Sequence, residues 1–395
     1  MDSLILVINP GSTSKKLALY KGTEILSEAR CESVGSSEFL VTLKVGQKKY
    51  QEPISKSEFD NATQWFIHKL KSAKLINSPE DLSGVGLRIV APGSAFQAHQ
   101  IINTSFIELL EKEQNLAPLH ITPVLKEIQL IGNKYPGLRM VAISDSEFHR
   151  DIPDVTKYYG IGYDDSNKWD IKRFGYHGIS MSSLARQLHS MCEVLPKKVI
   201  ACHLGGGASI TAILNGKSID TSMGLTPLEG LLMNTRGGDL DDGALILLAK
   251  KSAMSFEDLE VYLSKKCGLL GVSGKTGDIR ELLELEAQGD PRAHLALEMF
   301  IYRVRKYIGS YMMALEGLNV LVFSATIGER SGIMRQRILE GLGEFGFKLD
   351  DHKNFEDSTQ ARWIHESGSP IGIAVIPTDE MGEMAIQTQE VIDSL

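Results

Sequence analysis

The chain has 395 residues, 43% of them hydrophobic and 23% charged, with a formal net charge of −8. At ~100–200 residues per domain, this length predicts two domains with packed cores, and the composition excludes intrinsic disorder and collagen-like repeats. The acidic balance argues against nucleic acid or an anionic membrane surface as a partner, while leaving room for a local basic pocket.

Alternating β-type and helical runs predict an α/β chain. In chain order, the pattern predicts strands over 4–8 and 16–20, a helix over 58–73, a strand over 139–143 and a helix over 180–191. Strands over 199–202 and 210–214 follow, then helices over 244–251 and 293–315, a strand over 320–323 and a helix over 334–342. The nearest thing to a boundary is 152–172, loop-like and rich in Asp, Tyr and Gly. The apolar start is stopped by Asn9-Pro10-Gly11, too early for a signal peptide, and no apolar run approaches the ~20 residues that cross a bilayer. Cys31, Cys192, Cys202 and Cys267 form no C-x-x-C pair, which predicts reduced thiols in a cytoplasmic protein.

An internal repeat organises the sequence. Residues 4–22 read LILVINPGSTSKKLALYKG and residues 198–216 read KVIACHLGGGASITAILNG, aligned without a gap at an offset of 216 − 22 = 194. Each copy is an apolar strand, a turn of Gly and small hydroxyl residues, a second apolar strand and a closing Gly. Glycine-rich turns let backbone N–H groups crowd around an anion. Two of them, one per half, predict a phosphate chain gripped between two related domains. Gly274-Lys275-Thr276 mimics the end of a P-loop, but Leu269 stands where its first Gly is required; Gly205 and Gly207 begin a dinucleotide fingerprint that Ile210 breaks.

Asn9-Pro10-Gly11-Ser12-Thr13-Ser14-Lys15-Lys16 resembles the N-terminal signature of the acetate kinases and their acyl-kinase relatives. The stretch Asp220-Thr221-Ser222-Met223-Gly224-Leu225-Thr226-Pro227-Leu228-Glu229-Gly230 resembles their second signature. Further matches are Leu116-Ala117-Pro118-Leu119-His120, Asp145-Ser146-Glu147-Phe148-His149, Arg173-Phe174-Gly175-Tyr176-His177-Gly178, Thr235-Arg236-Gly237-Gly238-Asp239 and Pro377-Thr378-Asp379-Glu380. The resemblance implies two duplicated domains of the fold shared by acetate and sugar kinases, heat-shock chaperone ATPases and actin (ribonuclease H-like), flanking a nucleotide cleft. One domain would span 1–147 plus 380–395 and the other 148–379. It also implies a cytoplasmic homodimer that interconverts ATP plus acetate with ADP plus acetyl phosphate, using magnesium, with manganese as an alternative.

The acceptor carboxylate of such a reaction has a pKa near ~4–5, so no base is needed to make the nucleophile. The obstacle is bringing one anion up to another, which cations and aligned donors overcome. Arg88 and Arg236 are therefore expected to orient the acyl carboxylate and neutralise the phosphoryl group, because a guanidinium fork holds either group bidentately. His177 would stabilise an equatorial phosphoryl oxygen in a direct in-line transfer, and Asp145, ending a strand, would orient the metal and its waters. By resemblance, Asn9 and Glu380 lie near the metal, with Glu383 close by in sequence. Ser12, His203, Gly205, Gly206 and Gly207 would face the phosphates, Asp278 and Arg280 the ribose and base, and Gly328 the adenosine; Lys16 matches the signature lysine on the nucleotide side, with simple packing in its strand as the competing reading. Val90, Leu119, Tyr176 and Pro227 would line the acyl pocket. A surface ion pair is the competing reading of Asp278 and Arg280.

The sequence departs from the family pattern at several points. Ala91-Pro92-Gly93 replaces His-Gly-Gly, Ile121-Thr122 replaces Asn-Pro, Arg330 replaces Asn, and Gly206 stands where the phosphate loop has an asparagine. These changes leave open a propionate or butyrate kinase, a pyrophosphate-using variant, and a non-catalytic actin- or chaperone-type relative.

Overall fold

The computed structural model describes residues 3–34 and 38–395. The chain folds into two compact units. One comprises the described residues through Glu147, with Gly178–Ser183 and Asp379–Leu395; the other comprises Phe148–His177 and Leu184–Thr378.

The first unit is built on a sheet of eight strands: β1 (Leu4–Pro10), β2 (Ser14–Lys21), β3 (Glu24–Val34), β4 (Glu38–Val45), β5 (Lys48–Ile54), β6 (Leu82–Ile89), β7 (Gln100–Ile101) and β8 (Met140–Ser144), in the order β5-β4-β3-β2-β1-β6-β8-β7. Strands β1, β6 and β8 are parallel and the others antiparallel. Both faces of its centre are covered, which is why β1 reads as a continuous apolar run rather than an alternating one. Successive side chains point to opposite faces. Leu6, Ile8, Leu17, Leu19 and Leu87 pack in a core that includes Phe66, Leu70, Ile121 and Ile128 of the helices Ala62–Ser72 and Pro118–Lys134. Ile5, Val7, Ala18, Tyr20, Val141 and Ile143 pack on the other face with Met384 and Ala385 of the helix Glu380–Asp393. That helix lies close on β6: a Cβ on Gly84 or Gly86 would run into Ile392 or Thr388.

The second unit holds a sheet of β9 (Lys198–Leu204), β10 (Ala208–Leu214), β11 (Lys217–Thr221), β12 (Val320–Ser324), β13 (Arg362–Trp363) and β14 (Gly372–Val375), ordered β11-β10-β9-β12-β14-β13. Its core run β11-β10-β9-β12-β14 has the connectivity of β3-β2-β1-β6-β8, three antiparallel strands followed by two more parallel to the central one. The long helix Pro291–Ala314 begins with Pro at its first position behind Asp290, whose side chain caps the backbone N–H of Arg292 and Ala293. It buries Ala293, Ala296, Leu297, Phe300, Ile301, Val304, Ile308 and Tyr311, a stripe at helical spacing.

The predicted elements are all present, with two differences. The helix expected over 58–73 is two helices, Lys56–Asp60 and Ala62–Ser72, interrupted at Asn61. The repeat is ungapped along the chain but not across the hairpin. Pro10 faces Lys15 around a turn that includes Gly11 and Ser12, while Leu204 faces Ala208 around Gly205, Gly206 and Gly207 alone. The shorter second turn slips the pairing by one residue, and a one-residue slip exchanges the two faces of a strand. Asn9 therefore stands opposite Lys16, but its counterpart His203 stands opposite Ser209, not opposite the residue aligned with Lys16.

Candidate active site

In the first unit, strand alternation delivers the chemistry to one face. Asn9 follows the parity of Ile5 and Val7, Lys16 that of Ala18 and Tyr20, and Arg88 that of Gly84 and Gly86. These positions lie on the side of the sheet that carries the helix Glu380–Asp393. They also lie at the carboxyl ends of β1 and β6 and the adjoining start of β2, where parallel sheets present ligand-facing groups. Asp145 follows the last residue of β8; its N–H donates to the Ile89 carbonyl (2.9 Å) and its carbonyl accepts from Gly178 N–H (2.7 Å).

Arg88 is held between two acids. Its Nη2 lies 3.0 Å from Asp145 Oδ1, and its Nη1 donates to Glu380 Oε2 at 3.2 Å. Glu380 Oε1 accepts in turn from the Ser180 hydroxyl (2.6 Å). Burial opposes the charged guanidinium, but the two carboxylates more than offset it, so the Arg88 pKa is raised. With both acids ionised the cluster sums to 1 − 2 = −1, and the buried Arg88 Nε has no hydrogen-bond partner. Asn9 and Val90 are half-buried, while Lys16 and Ser12 are exposed. Leu119 lies in the helix Pro118–Lys134, with its side chain outside the described residues. The neighbouring Lys15 is the buried lysine, paired with Glu127 at 3.0 Å on the opposite face.

In the second unit the cluster forms around Arg236. His177 adopts a left-handed backbone (φ +60°) at the start of the helix Gly178–Met191. Gly175 supplies the sharp approach at φ +73°, where a Cβ would strike Thr221 and the His149 ring. The His149 ring is itself pinned to the Tyr176 carbonyl (3.0 Å) and the Ser218 hydroxyl (2.9 Å). His177 Nδ1 meets Ser209 Oγ at 3.0 Å, and its ring stacks on His203 with centroids 4.2 Å apart. The register slip in the second hairpin is what sets Ser209 beside His203 on this face.

The glycine turn closes on the same point. A Cβ on Gly207 would lie 2.9 Å from Arg236 Nη2 and 3.4 Å from His177 Nε2. Arg236 Nη1 donates to the Pro227 carbonyl at 2.8 Å, and among the described residues no carboxylate pairs with this guanidinium. Burial, uncompensated, lowers its pKa. The Pro227 loop is fixed by a network that the sequence reading did not single out. Tyr159 Oη accepts from Leu225 N–H (2.8 Å) and donates to Glu229 (2.6 Å). Arg173 binds Glu229 (2.6 Å) and the carbonyls of Thr221 and Met223, and Tyr176 Oη donates to the Leu225 carbonyl (2.6 Å).

Asp278 caps the helix Ile279–Ala287 and pairs with Arg280, whose side chain is 87% exposed; the structure places both in a local surface pair. Gly328 is buried in the helix Ala325–Arg330. Its carbonyl and that of Glu329 accept from Arg335 (2.8 and 2.9 Å), a buried cation whose pKa burial and Arg362 push down to about 10. Nothing in the local sequence marked Arg335. Among the described residues no cluster of three or more His, Cys, Asp or Glu side chains is arranged to hold a metal. No helix among them is long and apolar enough to cross a membrane.

The chain matches the model of the acetokinase family over residues 4–387. It is 36% identical to an acetate kinase of Sulfurovum sp., over 99% of each chain. The structure superposes on that of Porphyromonas gingivalis acetate kinase with a TM-score of 0.87 at 33% identity, covering 99% of this chain and 100% of that one. It superposes on a propionate kinase from Francisella tularensis with a TM-score of 0.90 at 34% identity, covering 98% and 100%. Two duplicated ribonuclease H-like sheets, both signatures and full-length similarity together make this chain a member of the acetokinase family.

Proposed function

We infer that this protein is an acetate kinase, transferring the terminal phosphoryl group of ATP directly to acetate to give ADP and acetyl phosphate. The observation that carries the reading is Arg236: a half-buried guanidinium without a carboxylate partner among the described residues, beside His177 and a glycine turn. An uncompensated cation in such surroundings is a receptor for an anion. It holds the acetate carboxylate and the phosphoryl group as their charges approach. His177, steadied by Ser209, donates to an equatorial phosphoryl oxygen, and the turn of Gly205, Gly206 and Gly207, with His203, holds the phosphate chain. Acetate is already ionised at neutral pH, so its oxygen attacks phosphorus as the bridging bond to ADP breaks, and no proton needs to be removed.

The Arg88 cluster serves the same reaction from the other unit. Its net negative charge, with the amide of Asn9 nearby in the fold, suits a hydrated divalent cation that takes one or two carboxylates and keeps its waters. Asn9, Asp145 and Glu380 would hold magnesium, which supplies charge neutralisation on the phosphates when bound. Arg88 keeps the two acids apart and oriented. Ser12 and Lys16 face the phosphates, and Asp278, Arg280 and Gly328 the nucleoside. Val90, Tyr176 and Pro227 bound the acyl chain, where one methylene changes discrimination by only ~1–3 kcal/mol.

The buried or half-buried free thiols fit a reducing cytoplasm. The helix Asp242–Ser252 carries an apolar run over 244–249 yet buries none of its residues, which supports a homodimer formed over that face. Leu247→Lys is expected to shift the sedimentation coefficient to that of the monomer; an unchanged dimer would remove this face from the interface.

Hydroxylamine trapping of acyl phosphate, with acid and phosphoryl donor varied, tests the activity. Acethydroxamate formed from acetate and ATP, stopped by a chelator and restored by magnesium, is the expected result. A stronger signal with propionate or butyrate would reassign the acid, one with pyrophosphate would reassign the donor, and ATP hydrolysis without trapped product would overturn the reading. Inversion at a chiral phosphorus is expected for direct transfer.

A further inference from the structure

The glycine turn offers a bound phosphate only backbone N–H groups, and its middle residue, Gly206, is exposed. What packs against that residue is the side chain of Asn234, two positions before Arg236. Asn234 Nδ2 lies 3.4 Å, and Cγ 3.8 Å, from the point where a Cβ on Gly206 would project. The asparagine backbone is tied to the same turn by its N–H, which donates to the Gly206 carbonyl (3.2 Å), and to the helix Gly268–Ser273 by its carbonyl, which accepts from Leu270 N–H (2.9 Å). The amide itself is unused. Oδ1 is shielded from solvent and has no hydrogen-bond partner, so no bond within the described residues ties up the amide, and its donor, Nδ2, is the atom that faces the turn.

We propose that Asn234 is a phosphate-binding residue: its side-chain amide donates to the phosphate chain of the nucleoside triphosphate or diphosphate over Gly206. It supplies from across the turn the side-chain donor that the turn itself lacks. The proposal rests on the reading that Gly205, Gly206 and Gly207 hold the phosphates. A neutral amide suits the position because a carboxylate there would repel the phosphate. Gly206 is not in a left-handed conformation, so its backbone admits a side chain, whose Cβ would lie in van der Waals contact with the Asn234 amide.

The experiment pairs steady-state kinetics with calorimetric titration of ADP and of inorganic tripolyphosphate. Asn234→Ala is expected to raise the KM for ATP and the Kd for tripolyphosphate by roughly tenfold, the loss of one hydrogen bond to a charged group, while the KM for acetate stays within twofold. Asn234→Asp is expected to weaken both further. Gly206→Asn alone is expected to weaken nucleotide binding by crowding. The double variant Gly206→Asn/Asn234→Ala, which moves the amide to the other side of the turn, is expected to recover nucleotide affinity to within about threefold of the parent. An Asn234→Ala enzyme whose ATP KM and tripolyphosphate Kd change by less than twofold overturns the proposal. Parent enzyme that binds ADP but not tripolyphosphate overturns the phosphate role of the turn, and the assignment of Asn234 with it.

Discussion

The two arginines expected to grip the acyl carboxylate occupy opposite electrostatic situations. Arg88 is clamped between Asp145 and Glu380, in a cluster whose charge sums to −1; Arg236 touches one carbonyl and no acid among the described residues. On the proposed function the same side chain does two jobs: in one unit it organises carboxylates, in the other it receives one. The expectation that both guanidinium groups grip the acyl substrate treats them as equivalent, and the geometry supports a division of labour instead. The proposed reading accordingly puts Arg88 with the cation-binding side and Arg236 with the anion-binding side.

Paired substitutions sharpen that contrast. Arg236→Ala should lower kcat by roughly 10³-fold or more, because it removes the donor aimed at developing charge. It should leave the thermal midpoint unchanged or raised, since a half-buried cation without a counter-ion costs stability. Arg88→Ala should lower kcat too, but it also leaves Asp145 and Glu380 facing each other without their cation. A loss of roughly 3–5 kcal/mol of stability is expected from breaking such a buried pair. Thermal melts of the two variants side by side read the difference; equal destabilisation would erase the distinction.

Below these in size stands the support of the Pro227 loop. Glu229→Gln weakens its bonds to Arg173 and Tyr159, which hold the loop that presents the Pro227 carbonyl to Arg236. A fall in kcat of roughly tenfold, with nucleotide affinity retained, is the expected signature of misplacement rather than lost binding. The smallest effect lies far from the chemistry. Lys275 and the backbone N–H groups of Ala293 and Arg292 hold the Asp290 carboxyl down at about 2. Asp290→Ala should lower the thermal midpoint by roughly 2–4 °C. Because the folded pKa lies below the unfolded ~3.9, that contribution is present above pH ~4 and lost as pH falls toward about 2. A melt recorded at pH 2.5 should show parent and variant converging.

What was legible in the sequence was whatever local pattern determines. Continuous apolar runs marked β1, β9 and β12 because those strands are covered on both faces, and Asp145 could be placed at a strand end. The strands β3, β4 and β5 escaped notice because half-exposed and edge strands carry Lys and Glu, and β5 buries only Ile54. The register slip was hidden because an alignment along the chain carries no information about which residues face each other across a hairpin. Lys15 and Lys16 exchanged prominence for a related reason: one residue of alternation sends Lys15 into the core to meet Glu127 and leaves Lys16 exposed. Asn234 and Arg335 were beyond sequence reasoning altogether, since each is defined by what folds against it.

The assignment of Arg236 as the unneutralised receptor for substrate charge is tested most directly by one assay on two proteins. Acyl phosphate formed from ATP and acetate is trapped as hydroxamate with the parent chain and with Arg236→Ala, each with its melting curve. Product from the parent, at least about a thousandfold less from the variant, and a melting temperature no lower than the parent's are expected. Near-parent turnover by the variant would contradict the account.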